Sequence, residues 1–222
     1  MMGLLNTLLD LFYPPRCPFC GKPGAKGAEG PCPHCQTAPF WLEGRQAVVP
    51  DKDFVRCACA AWYQAPFREE VLRFKFSNQP HRAKAYGAVL AQTIRTYLPG
   101  TFDCVTWVPV SPDTLRKRGY DQAQLLAQEA AKALGKPVLP LLEKTGKNRP
   151  QSSLAHGRER FANVAGVYTV PQPAAAAGQR ILLIDDILTT GATLNEAART
   201  LRQAGAGQVV AAALCRTPEH GP

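Results

Sequence analysis

The sequence lacks any apolar run of the roughly 20 residues that a membrane-spanning helix needs. Its first residues also lack the basic segment and small-residue cleavage site of a secretory signal peptide, and Asp10 interrupts their apolar stretch. The apolar residues there recur at helical spacing before Pro14, at Leu4, Leu5, Leu8, Leu9 and Phe12. We therefore expect a cytoplasmic protein that is not inserted in a membrane, with a short N-terminal helix docked on its own body.

Acidic residues are few, because the 222 residues include 17 Asp and Glu against 26 Lys and Arg, for a formal net charge of +9. This charge suits polyanionic partners, either nucleic acid or small phosphorylated substrates. The charge by itself does not distinguish the two. Hydrophobic residues make up 45% of the chain, which excludes a chain that is disordered throughout.

Residues 1–45 have few periodic apolar positions, so this segment needs a staple in order to fold. Four cysteines form two C-x-x-C pairs, Cys17 with Cys20 and Cys32 with Cys35. Two such pairs bring four thiolates to one point and complete a tetrahedral Zn²⁺ site. Four thiolates leave no open position, so the zinc is expected to be structural, and its binding free energy becomes folding free energy.

Two alternatives to a zinc site remain open. A thioredoxin-like redox pair would use one C-x-x-C at the start of a helix, and the four thiols could also be free. The number and spacing of the ligands favour zinc. His34 is expected to be a bystander, and the remaining cysteines are expected to be buried in the core: Cys57, Cys59, Cys104 and Cys215.

Apolar strands alternate with amphipathic helices through the rest of the chain, a pattern typical of an α/β domain with a parallel sheet flanked by helices. Strands are predicted at roughly 54–62, 104–110, 167–170, 180–185 and 208–215. Helices are predicted at roughly 67–76, 82–97, 120–134 and 192–204. The chain is thus expected to have an N-terminal helix and zinc module over 1–45 and an α/β domain over 46–222.

The segment Ile181–Thr193 combines a strand, an acid pair and a glycine-containing loop. Four consecutive large aliphatic residues predict a strand buried on both faces. Asp185 and Asp186 follow at its C-terminal end, where open α/β sheets bind their ligands. Gly191 allows a sharp turn into a helix whose first amides favour an anion.

The hydroxyls of this loop suit a phosphate, and the acids before it suit a sugar. Three threonines flank Gly191 and Ala192, at Thr189, Thr190 and Thr193. The carboxylates would repel a phosphate, so we expect them to face sugar hydroxyls, directly or through Mg²⁺. The alternative, a strand with two solvated acids and an ordinary helix start, does not explain paired acids beside a phosphate loop. The segment is therefore predicted to bind a phosphorylated ribose.

This run resembles the 5-phosphoribosyl-1-pyrophosphate (PRPP) signature of type I phosphoribosyltransferases. In that family the acid pair holds the ribose 2′ and 3′ hydroxyls and the loop holds the 5′-phosphate. The resemblance implies a type I phosphoribosyltransferase-like sheet. It also implies that Asp185 and Asp186 serve the reaction, that residues 189–193 bind the substrate, and that PRPP and Mg²⁺ are the ligands.

Two other segments are candidates to bind and cover the pyrophosphate of PRPP. A predicted strand end at Val108–Ser111 leads to three consecutive cations at 116–118, for which a solvated basic helix turn is the alternative. Ser111 and Arg118 are the residues that we expect to contact the pyrophosphate. A basic lid that excludes water is predicted from Lys144, Lys147, Arg149, Arg158 and Arg160.

The order of these elements resembles the ComF family of competence-associated phosphoribosyltransferase-like proteins over nearly the whole chain. The shared elements are the cysteine pairs, the VPVS and RGYDQ segments, the DD-x-x-TTGAT run, and Gln151, Leu154, Arg160 and Asn163. The family usually has Asn where this chain has Asp121. The resemblance implies a role in DNA uptake, either as a phosphoribosyltransferase of unknown acceptor or as a non-catalytic, PRPP-responsive factor that binds single-stranded DNA.

One surface is a candidate for binding single-stranded DNA. Cations cluster near Phe74 and Phe76, at Arg68, Arg73, Lys75, Arg82 and Lys84. They would contact phosphates while the rings stack on bases. The alternative, with both rings in the core and the cations on a solvated face, is favoured by the residues alone. The association with competence favours DNA but implies no set of DNA-binding residues.

Overall fold

The computed structural model describes residues 16–23, 30–50, 54, 56–145 and 166–218. The predicted N-terminal helix and most of the predicted lid, from residue 147 onwards, lie outside these residues. Within the described ranges, no helix is both long enough and apolar enough to span a bilayer.

A five-stranded sheet lies at the centre of the fold, in the order β1-β2-β7-β6-β3. Only the edge strand β1 is antiparallel to its neighbour, and the other pairs are parallel. A separate antiparallel pair is formed by β4 and β5. The strands are β1 (Val48–Val49), β2 (Cys57–Trp62), β3 (Cys104–Trp107), β4 (Glu143–Lys144), β5 (Tyr168–Thr169), β6 (Arg180–Leu188) and β7 (Gln208–Arg216). The predicted α/β architecture is confirmed, with the strand predicted near 167–170 standing outside the main sheet.

The helices are α1 (Pro33–Gln36), α2 (Phe67–Phe76), α3 (Ala83–Tyr97), α4 (Pro112–Arg118), α5 (Gln122–Leu134), α6 (Pro173–Ala176) and α7 (Ala192–Gln203). The four predicted helices correspond to α2, α3, α5 and α7 within about two residues. Helix α4 was not predicted, because it buries none of its residues and so has no apolar periodicity. Its start does carry a capping signal, since Thr114 N donates to the Ser111 hydroxyl and Pro112 is the first helical residue.

Strand β6 is buried on both faces, as its aliphatic run predicts. Leu182 and Ile184 belong to a core cluster with α3 and α5, whereas Ile181 and Leu183 pack with α7. Helices α3 and α5 approach closely at Gly87, where a Cβ would lie 2.4 Å from the Cβ of Glu129. The core therefore has two layers, one on each side of the sheet.

The cysteine-rich segment shares its core with the α/β domain. The Phe19 ring lies 5.1 Å from that of Phe67 and 5.5 Å from that of Tyr86. The carbonyl oxygen of Pro18 accepts hydrogen bonds from the Tyr86 hydroxyl at 2.7 Å and from Arg82 at 2.9 Å. The N-terminal knuckle is thus bound to helix α3 by apolar and polar contacts together.

Candidate functional site

The acid pair begins where β6 loses one of its two neighbours. Strand β3 pairs with β6 only as far as Trp107 opposite Ile184, whereas β7 pairs with it as far as Arg216 opposite Leu188. The strand was predicted to end at Asp185, and that prediction was wrong by three residues, because β7 continues to pair with it. Asp185 and Asp186 consequently lie within β6, at the part of its edge that does not pair with β3.

The predicted phosphate loop connects β6 directly to α7. Gly191 has a φ of 78°, a left-handed conformation that favours glycine, and it precedes the first helical residue, Ala192. Thr189 and Thr190 are exposed, and Thr193 is half-buried. Gly191 has no side chain to cap the helix, so the amides of its first turn favour a bound anion. The strand, the acids and the helix start lie together on one continuous segment.

The two carboxylates of the acid pair have different surroundings. Both oxygens of Asp186 accept from the Lys75 ammonium, at 2.9 and 2.8 Å, whereas an Asp185 oxygen accepts from the Asp186 amide at 2.8 Å. Burial, and secondly the charge of Asp186, raise the pKa of Asp185 to about 8. Lys75 thus compensates the charge at Asp186, whereas burial opposes a second charge at Asp185.

Asp185 should cost the folded protein stability as the pH rises. Its pKa is raised in the folded state above the ordinary 3.8, so the unfolded state releases this proton first and stability falls between about pH 4 and pH 8. We expect Asp185→Asn to stabilise the ligand-free protein, by on the order of 2 kcal/mol more at pH 8 than at pH 5. Denaturant unfolding of both proteins at the two pH values measures this, and identical pH dependence would contradict the expected burial of the carboxyl.

Two further ionisable residues lie around the acid pair. Lys144 in β4 has its pKa lowered by burial, against the opposing influence of the Asp185 and Asp121 charges, and its ammonium lies 5.5 Å over the Tyr168 ring. Asp121 is buried, accepts from the amides of Val110 at 2.9 Å and Gln124 at 3.2 Å, and has its pKa raised chiefly by burial. Asp121 therefore caps α5 and fixes the chain before α4. The sequence left this position without a role, although an Asp before a helix start is a capping signal.

The predicted pyrophosphate residues lie at the two ends of α4. Ser111 caps its first turn, and Arg118 in its last turn donates to Gln122 and lies 5.0 Å over the Phe76 ring. Arg116 and Lys117 are exposed, and Arg116 pairs with Asp113. The structure thus agrees with the alternative of a solvated helix turn for Arg116 and Lys117, and it brings Arg118 against α2.

Several cations of the predicted DNA-binding surface are paired with acidic residues in the structure. Arg82 is buried in an ion pair with Glu70 at 2.7 Å, Arg73 also pairs with Glu70, and Lys75 is engaged by Asp186. The Phe74 ring is in the core, as the alternative interpretation held. That interpretation was wrong for Phe76, whose residue surface is 68% exposed at the end of α2. The sequence could not distinguish these two rings, because they are two positions apart at the end of one helix.

The four paired cysteines meet at one point. Their sulfur atoms all lie within 4.8 Å of one another, and the sulfurs of Cys17 and Cys35, like those of Cys20 and Cys32, are 3.9 Å apart. Four sulfurs at about 2.3 Å from a tetrahedral Zn²⁺ would be about 3.8 Å apart, so the arrangement fits zinc. His34 is exposed and is not part of the cluster. The remaining four cysteines are buried, as predicted.

Comparison with known proteins supports both parts of the chain. Residues 117–221 match the family model of the phosphoribosyl transferase domain, and residues 8–46 match that of the double zinc ribbon domain. The competence protein ComFC of Streptococcus pneumoniae is 28% identical over 207 residues, covering 90% of this chain and 87% of that protein. The chain is similar to ComF-type competence proteins over most of its length. Its four-cysteine module is accordingly a zinc ribbon, joined to a type I phosphoribosyltransferase fold.

Other known proteins are also similar to this chain. The DNA utilization protein YhgH of Salmonella typhimurium is 29% identical over 210 residues, covering 90% of this chain and 84% of that protein. Among solved structures, a glutamine PRPP amidotransferase from B. subtilis, complexed with ADP and GMP, aligns with a TM-score of 0.42 and 20% identity. That alignment covers 64% of this chain and 30% of the amidotransferase.

Proposed function

We propose that this chain is a ComF-type protein that binds PRPP at Ile181–Thr193 and acts in the cytoplasm in the uptake or use of DNA. The observation that carries the PRPP site is the continuity of a buried strand, an acid pair, the Gly191 turn and the start of α7. The DNA role is supported by the names of the relatives, a competence protein and a DNA utilization protein. The division into a zinc module over 1–45 and an α/β domain over 46–222 is part of this proposal.

The residues of the site divide among the parts of PRPP. Asp185 and Asp186 would hold the ribose 2′ and 3′ hydroxyls, because carboxylates accept from hydroxyls and repel phosphates. The loop Thr189–Thr193 would hold the 5′-phosphate with its hydroxyls and with the first amides of α7. Ser111 and Arg118 would face the pyrophosphate from α4, and PRPP would bring Mg²⁺ on its pyrophosphate oxygens.

The reaction that such a site supports is transfer of the ribosyl group. The bond from C1 of the ribose to the pyrophosphate breaks, a nucleophile forms a new bond to C1, and the transition state has a cationic ribosyl ring. The carboxylates below the ring stabilise developing positive charge, and Arg118 stabilises the departing anion. The acceptor is a nucleophile for which the described residues offer no evident base.

A second candidate function is a PRPP-responsive factor that binds single-stranded DNA without turnover. The exposed Phe76 ring, with the Arg118 guanidinium 5.0 Å over it, favours this candidate, since both stack on bases. The ring also lies one position after Lys75, which contacts the acid pair. A DNA strand held there would lie beside Lys75.

Release of pyrophosphate separates the two candidates. The protein is incubated with PRPP, Mg²⁺ and a panel of nucleophiles that includes nucleobases, ammonia and amines. Turnover with any of them, lost in Asp186→Asn, supports the transferase. No turnover, together with salt-sensitive binding of single-stranded DNA that weakens in Phe76→Ala, supports the binding factor. If the protein showed no turnover and also did not bind single-stranded DNA, both candidate functions would be contradicted.

A further inference from the structure

Lys75 forms an ion pair with Asp186 of the acid pair, although Lys75 lies outside the PRPP signature at Ile181–Thr193. Its ammonium contacts both oxygens of Asp186, a residue 111 positions away in the sequence. The two side chains are 18% and 12% exposed, so the ion pair is largely removed from water. A lysine held in this way is a built element of the site, since exposed ion pairs of flexible side chains are weaker and less ordered.

The surrounding residues hold Lys75 in place. Lys75 lies in the last turn of α2, where a cation interacts favourably with the helix dipole. The preceding residue, Phe74, is buried with its ring 5.3 Å from that of Tyr86. The Tyr120 hydroxyl donates to the Phe74 carbonyl and accepts from the Gln79 amide at 3.3 Å. The end of α2 is therefore bound from two sides, which fixes the ammonium beside Asp186.

The acid pair as arranged does not fit direct coordination of Mg²⁺. Both Asp186 oxygens already face an ammonium, and Asp185 is a half-buried residue of β6 whose carboxyl oxygen accepts from the Asp186 amide. Magnesium requires ionised oxygen ligands at about 2.1 Å in near-octahedral geometry. The Lys75 ammonium therefore takes the place beside Asp186 that a metal cation would occupy.

We propose that Lys75 is the resident cation of the ribose site, holding Asp186 in position so that the ribose hydroxyls bind without a divalent ion at the carboxylates. This inference rests on the proposed PRPP site. Lys75 is a positioning residue, acting on the ligand through Asp186. Magnesium then serves the pyrophosphate alone, and a ligand without pyrophosphate should not need it.

Ribose 5-phosphate is the probe that isolates this effect, because it carries the hydroxyls and the 5′-phosphate but no pyrophosphate. Its affinity is measured by calorimetry with and without Mg²⁺, in buffer free of chelators, which would compete for zinc. The variants are Lys75→Met, which removes the charge, and Lys75→Arg, which keeps it. Lys132→Met, at an exposed position near the end of α5, controls for net charge. Thermal unfolding verifies that each variant is folded.

We expect wild-type affinity for ribose 5-phosphate to be the same with and without Mg²⁺. Lys75→Met should lose roughly 10- to 100-fold without Mg²⁺ and regain part of this when Mg²⁺ is added. Lys132→Met should remain within about threefold of the wild type, and Lys75→Arg, which keeps the charge in a larger side chain, should lose less affinity than Lys75→Met. Wild-type affinity for Lys75→Met, or a requirement for Mg²⁺ in the wild type, would overturn the role of Lys75. If the wild type bound PRPP but not ribose 5-phosphate, this role would also fail, whereas binding of neither ligand would overturn the PRPP site itself.

Discussion

Replacing Cys17 by serine is expected to remove zinc and to destabilise the α/β domain together with the ribbon. From the sequence alone, Cys17→Ser is expected to unfold only the N-terminal module, and the structure revises this expectation. Phe19, two positions after Cys17, lies in the same core cluster as helices α2, α3 and α5. The loss of a structural zinc forfeits on the order of 10 kcal/mol of binding free energy, most of which is folding free energy of the ribbon.

The polar contacts under the ribbon explain why the effect should spread. When the knuckle unfolds, the Pro18 carbonyl leaves Arg82 and Tyr86, which are buried beside it. Arg82 also pairs with the buried Glu70, so water must enter around two charges or they must move. We expect the free energy of unfolding of the α/β domain to fall by about 2 to 4 kcal/mol.

Zinc content and denaturant unfolding measure both effects. Trp41 reports on the ribbon, because its indole donates to the Cys35 carbonyl at 2.5 Å, and Trp62 and Trp107 lie in or at the end of strands of the sheet. Cys104→Ser is the matched control, since this thiol is buried but lies outside the cluster, and it should keep the zinc. An α/β domain that unfolded at the wild-type denaturant concentration after Cys17→Ser had lost its zinc would contradict the shared core.

The double substitution Asp185→Asn with Asp186→Asn is expected to weaken PRPP binding by at least about 100-fold while the protein stays folded. Each acid is proposed to form a hydrogen bond with a ribose hydroxyl, and a bond of this kind contributes about 1.5 to 3 kcal/mol where the carboxyl group is ionised. The fold should persist because the amides keep the volume of the acids and the Asp185 carboxyl is itself destabilising.

Equilibrium dialysis with PRPP measures the loss, and circular dichroism and thermal unfolding verify the fold. Asp103→Asn is the control, because Asp103 pairs with Arg180 at the opposite end of β6 and is far from the loop. It should bind PRPP like the wild type. Equal affinity in the double variant would contradict the assignment of the acids to the ribose.

The parts of the fold that follow from local sequence were predictable. The run Ile181–Ile184 is apolar throughout, which predicts β6 as an interior strand buried on both faces of a parallel sheet. The two C-x-x-C pairs predict that their four sulfur atoms lie close together, because a tetrahedral zinc ion requires four ligands. Gly191 and the threonines mark the turn into α7, since few other residues tolerate its left-handed φ.

The contacts that depend on distant parts of the chain could not be predicted. In the sequence, Lys75 is one of several cations on a basic helix. Its contact with Asp186 depends on how α2 is placed relative to β6 in the folded chain. The exposure of Phe76 against the burial of Phe74 is decided by which face α2 turns inward. The end of β6 depends on the length of its partner β7, which no property of β6 itself encodes.

Calorimetric titration of the wild-type protein with PRPP and Mg²⁺ tests the central claim most directly, and a parallel titration in the presence of single-stranded DNA accompanies it. We expect saturable binding of one PRPP per chain, lost in the double Asn variant and retained in Asp103→Asn. A change in PRPP affinity on adding DNA would favour the coupling of this site to DNA handling, and an unchanged affinity would favour the metabolic transferase. The absence of any PRPP binding by the folded, zinc-loaded protein would contradict the account.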